Sequence, residues 1–134
     1  FSLFDFDEAF NDWKQLGEDV VTDPHKCLVK KKSKYDSYAL LLPVPNTDLI
    51  KKQVINPQTQ TNYGNKSLLT IELLFHGVPG LEKYFIEDVN RTDNFIKFIS
   101  DGQKVHFAKD VVPTLDEKYF KVFEPIFEFI KTKC

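Results

Sequence analysis

The chain has 134 residues, of which 42% are hydrophobic and 28% charged, and its formal net charge is −2. That length and balance fit one globular domain over residues 1–134 with a core of its own, and the slight acidity argues against nucleic acid as a partner. No apolar run approaches the roughly 18 residues of a membrane-spanning helix, so no membrane partner is expected.

Residues 3–16 carry Leu3, Phe6, Phe10, Trp13 and Leu16 at steps of three and four, which predicts an amphipathic helix. Asp5 and Glu8 have the spacing of a capping box, and Gly17 suits a stop. From 26 to 107 the signals favour strands. Cys27 and Val29 alternate with polar neighbours, 38–42 is a short apolar run closed by Pro43, and a strand is expected at 52–55 within a loop-rich stretch. The run 68–75 is the strongest strand signal, with Leu69, Ile71, Leu73 and Phe75 on one face. Further strands are expected at 84–89 and 95–100. Asp101-Gly102 reads as a hairpin turn into a strand at 105–107. A helix returns at the C-terminus, with Thr114 and Glu117 as its capping box. Phe120, Phe123, Phe127 and Ile130 form its buried stripe, and Pro125 should kink or split it.

Two cysteines, one of them the last residue, lie away from any metal-ligand or catalytic pattern. Their economical use is a Cys27–Cys134 disulfide pinning the C-terminus to the first strand, worth about 4–5 kcal/mol by chain entropy; two free thiols in a cytosolic protein are the alternative. A start at Phe1 reads as a mature chain after removal of a signal peptide, and Asn65 and Asn90 head glycosylation sequons. These signs together predict a secreted, extracellular protein.

The lysines at 30, 31, 32 and 34 could meet an anionic surface such as heparin, but read rather as a solvated edge strand. Glu72 and Glu87 sit inside expected strands among apolar residues; either can point outward on an alternating strand, and one that faces inward needs a partner or a cationic ligand. His25, His76 and His106 have no metal-ligand spacing. No nucleophile–base motif, phosphate loop or cofactor fingerprint occurs, so no enzyme, metal or cofactor is expected.

The run Trp13-Lys14-Gln15-Leu16-Gly17-Glu18-Asp19-Val20 resembles the W-K-x-L-x-x-D-V opening of tick salivary lipocalins, the histamine-binding group in particular. Lys66-Ser67-Leu68 leading to Glu72-Leu73-Leu74-Phe75 is similar to that group's following strand. Phe85-Ile86-Glu87-Asp88-Val89 is similar to the strand whose Glu meets the ligand amine, and Asp101-Gly102-Gln103 between Phe98 and Phe107 to an aromatic-bearing hairpin. The resemblance implies an all-β fold, an antiparallel lipocalin-like barrel flanked by N- and C-terminal helices. An α+β fold, with a helix on a curved antiparallel sheet, is the alternative.

On that reading the protein is a non-catalytic binder that sequesters a small amphipathic or amine ligand, a biogenic amine or lipid-like mediator, in the barrel cavity. Glu87 supplies the counter-charge, with Glu72 as a second acid. Phe98, Phe107, Trp13 and Tyr35 line the wall, and Tyr35 and Asp36 lie at the mouth. The competing reading is an inhibitor that binds a host protein (a protease, complement factor or chemokine) through loops 43–65 and 76–82.

Overall fold

A computed structural model describes residues 1–134. Its larger sheet contains β1 (Ser2–Phe4), β2 (Glu18–Val21), β3 (Val29–Lys31) and β4 (Tyr38–Leu41), in the order β1-β4-β3-β2. β1 runs parallel to β4, and the other pairs are antiparallel, so that Leu40 lies opposite both Leu3 and Val29. A separate pair, β5 (Phe85–Glu87) and β6 (Ile96–Phe98), is antiparallel with Phe85 opposite Phe98.

The expected lipocalin-like barrel does not form. Both sheets are open, and the architecture is a mixed α/β one in which short helices and 3-10 turns cover the strands. The decisive departure is at 68–75, where a barrel wall was expected. Leu69 makes only an isolated bridge to Phe6, and Ile71–Phe75 then winds into a 3-10 helix. Four of its five residues, Glu72 to Phe75, are buried, so a run apolar on both faces is satisfied by tight coiling between neighbours.

Other elements shift for identifiable local reasons. The expected helix 3–16 is reduced to one turn, α1 (Phe10–Trp13), because its first residues join the sheet as β1. Asp5 does not cap that helix: its carboxylate accepts from the Ile71 backbone N–H at 3.0 Å, and Asp7 instead accepts from Ala9 N–H at 2.9 Å. The expected strand at 52–55 is the end of a helical segment that opens with α2 (Asp48–Lys51). After β6, Asp101–Gln103 turns into α3 (Lys104–His106) and a π-helical segment, Phe107–Val111, rather than into a hairpin strand. The lysine-rich strand β3 is interior to its sheet, not an edge. Lys30 bonds Asp19 of β2 at 2.7 Å and lies 5.1 Å from the Trp13 ring.

At the C-terminus the apolar periodicity is split. Asp116, not Thr114, caps the 3-10 helix Glu117–Phe123 through Lys118 N–H, and α4 (Glu124–Lys131) follows with Pro125 in its first turn. Proline is tolerated there because the N–H it lacks has no partner within the helix. α4 buries Ile126 and Phe129 and leaves Phe127 exposed.

β4 divides the core. Ala39 and Leu41 pack with Phe6, Trp13, Ile50 and Leu69 in one cluster, whereas Leu40 packs with Cys27, Val29, Ile126 and Phe129 in another. A third cluster gathers Phe75, Tyr84, Phe98 and Phe107. The expected disulfide is absent: Cys27 and Cys134 are free thiols, the first fully buried and the second exposed beyond α4. Ile126 and Phe129 press directly on the Cys27 cluster, so apolar burial holds the last helix where a covalent tie was expected.

At Gly17 the chain turns into β2 with φ +151°, and a Cβ there would overlap the Lys31 carbonyl. Only glycine allows β2 to reach its partner so closely.

Candidate functional site: an aromatic cleft with a buried carboxylate

The third cluster opens to solvent along one side. A cleft of about 320 Å³ lies between the 3-10 helix Ile71–Phe75, the π-helical segment and the two C-terminal helices. Its walls are Phe75, Phe107, Val112, Phe120 and Phe123, with Ile71 and Phe127 at the rim. Phe75 is the hub. Its ring centroid is 5.8 Å from Phe107, 5.6 Å from Phe120 and 5.4 Å from Phe123, the first two edge-on. Such edge-to-face pairs are worth about 0.5–1.5 kcal/mol each beyond the area they bury, so the rings of the wall hold one another in place. The π-helical segment contributes by widening the backbone at Phe107 and Ala108, an irregularity that recurs at functional sites.

Two charged residues line this apolar cleft, Glu72 and Lys104. Glu72 Oε1 lies 3.6 Å from Lys104 Nζ, which is also 3.5 Å from Asp101. Burial by itself would lower the Lys104 pKa, but Glu72 and Asp101 more than offset it, and the ammonium is held above its ordinary value. The other oxygen of Glu72, Oε2, is buried and has no hydrogen-bond partner. The charge of Asp5 also reaches this group. Burial first, then Asp7 and Glu72, push the Asp5 pKa up to about 6, although its bond from Ile71 N–H works the other way.

The residues singled out in the sequence are dispersed. Glu72 and Phe107 meet in the cleft. Phe98 backs it, 5.0 Å from the Phe107 ring. Trp13 is buried in the first core cluster, where its indole N–H donates to the Ala39 carbonyl at 2.9 Å. Glu87 points to solvent on β5, and Tyr35 and Asp36 are exposed in the turn between β3 and β4. Asn65 and Asn90 are exposed. No group of three metal-ligating side chains occurs.

Phe75, Phe120 and Phe123 read in the sequence as core stripes, and no pattern singles out Lys104. The 3-10 geometry, three residues per turn, eclipses 120 with 123 and turns both toward Phe75. A spacing of three also fits a helical stripe, so the sequence alone carries no signal that separates the two.

Compared with known protein families, curated proteins and solved structures, the chain matches none. The arrangement itself therefore carries the functional reading.

Proposed function

We propose that the protein is a non-catalytic, extracellular binder that sequesters a small amine bearing an aromatic or apolar body, held in the Phe75–Phe107–Phe123 cleft. The observation that carries this reading is Glu72. A buried carboxylate oxygen without a donor costs about 1–3 kcal/mol or more, and a ligand ammonium would supply that donor. The local charge favours a cation, since Glu72, Asp101 and Asp5 face a single ammonium, that of Lys104. Aromatic walls add cation–π attraction, and the cleft volume lies at the small end of ligand pockets, about 300–1,000 Å³.

Calorimetric titration with tryptamine, serotonin and histamine tests the reading. Binding that weakens about tenfold or more in Glu72→Gln, with Glu87→Gln unchanged, supports it, because a charge-assisted bond to a buried acid is worth at least that. Absence of binding by the parent protein refutes it.

A second reading, inhibition of a host protein through surface loops, is favoured by the loop at 56–62. It projects from the Ile55–Asn62 bridge, and Asn56 Oδ1 braces it by accepting from Gln58 and Thr59 N–H. A self-braced, exposed loop loses little entropy on docking. Inhibition of a host protease that disappears when 57–61 is replaced by glycine and serine would place function there.

A further inference from the structure

The 3-10 helix Glu117–Phe123 has a second working side. While Phe120 and Phe123 face the aromatic cleft, Lys118, Tyr119, Lys121 and Val122 line a separate groove of about 550 Å³. Its opposite wall is the proline-rich segment at 43–47 and the turn at 76–78, and its floor includes Ile50 and Leu73.

The polar complement of this groove is one-sided. Of its 17 lining residues none is Asp or Glu, although acids outnumber lysine and arginine in the chain. Lys118, Lys121, His25 and His76 converge on it, and neither lysine takes part in an ion pair. The Lys118 ammonium rests 5.1 Å from the Tyr119 ring centroid, which positions it without neutralising it. His25 Nδ1 is 2.7 Å from the Val44 carbonyl. A carbonyl only accepts, so Nδ1 carries the proton and Nε2 of the neutral ring is an acceptor, which leaves the two lysines as the donors to an anion. The His76 ring is braced edge-on against Phe85 at 5.5 Å. Burial lowers the His76 pKa, so the positive charge here is that of Lys118 and Lys121. Two unpaired ammonium groups beside an apolar concavity lined by no carboxylate are the electrostatic complement of an anion.

We propose that this groove is an anion-binding site, distinct from the aromatic cleft, which takes a small molecule joining a phosphate or carboxylate to an apolar body. Lys118 and Lys121 meet the anionic group, and Ile50, Leu73 and the prolines receive the body. The two pockets then back onto opposite faces of one 3-10 helix, with opposite charge preference.

Amide-resolved NMR titration of the full chain tests the site, with phenyl phosphate, 3-phenylpropanoate and neutral benzyl alcohol as probes. Either anion should shift the amides of Asn46, Thr47, Gly77, Tyr119 and Lys121 saturably below about 10 mM, whereas benzyl alcohol should not. The ratio of the two affinities names the preferred anion. Lys118→Gln/Lys121→Gln should weaken the better anion about tenfold, and Lys118→Arg/Lys121→Arg should keep it within about threefold. Both positions are exposed, so neither variant threatens the fold. Failure of both anions to saturate overturns the proposal. So do shifts confined to Phe75, Phe107 and Phe120, and so does unchanged affinity in the glutamine variant. None of these results depends on whether amines bind at Glu72.

Discussion

Two side chains, Gln53 and Asp5, show how single residues raise or lower the stability of this chain. Gln53 is fully buried, and its amide is the joint between the helical segment and the second sheet. Its Nε2 donates to the Leu68 and Ile96 carbonyls at 3.0 Å each, and its Oε1 accepts from Ile96 N–H at 2.6 Å. Gln53→Leu keeps the volume but strands an N–H and two carbonyls in the interior, so it should cost about 2–4 kcal/mol in urea unfolding. A loss under about 0.5 kcal/mol would mean that these groups find water instead. Asp5 is a different case. Its folded pKa of about 6 lies above the ordinary 3.8, so the folded state binds the proton more tightly than the unfolded chain does. Between those values stability rises as pH falls, and above pH 6 the ionised carboxylate is a constant penalty. Asp5→Asn preserves an acceptor for Ile71 N–H and removes that penalty. It should therefore raise the melting temperature at pH 8 and change it little or lower it at pH 4. Equal shifts at the two pH values would show that Asp5 is not the titrating group.

At the scale of elements, what the sequence made legible followed from local pattern. The strands at 29–31, 38–41, 85–87 and 96–98 lie where alternation and bounding turn residues place them. Pro125 divides the last helix as a proline within a helical repeat should. What was not legible depended on partners. The run 68–75 alternates well enough for a strand, but a strand needs a neighbour along its length, and here only Leu69 finds one, in Phe6. Asp101-Gly102 carries a hairpin signature, yet β6 is already paired with β5 and Gly102 does not adopt positive φ, so the chain coils instead. The site shared this fate. Glu72 was visible as an acid among apolar residues, because such a pattern is costly wherever it folds. Its companions were not, because Phe75, Phe120 and Phe123 converge only through 3-10 turns whose period of three differs little in sequence from a helical stripe.

At the scale of the molecule, the absence of a disulfide changes what keeps the C-terminus in place. α4 adheres through Ile126 and Phe129, which close over Cys27, Val29 and Leu40. Phe129 also meets Tyr38 edge-on at 5.4 Å and Phe1 at 6.4 Å, so one ring ties the last helix to both β4 and the first residue. The Cys27 thiol is the natural reporter of this seam. Burial pushes its pKa up to about 12, so the reactive thiolate is scarce at pH 8 and the sulfur is sterically covered as well. In the folded parent, a disulfide-exchange reagent should titrate one thiol promptly, that of exposed Cys134, and the second only on unfolding. Placing Phe129→Ala on a Cys134→Ser background isolates the seam. The truncation should cost about 3–5 kcal/mol and speed Cys27 labelling by about two orders of magnitude or more. If α4 lifts away as a unit, labelling will outpace global unfolding at low urea and lose its urea dependence there, because local opening exposes little new surface. If labelling instead follows global unfolding at every urea concentration, the helix and the sheet form one cooperative body, and the seam at Cys27 is as stable as the core beneath it.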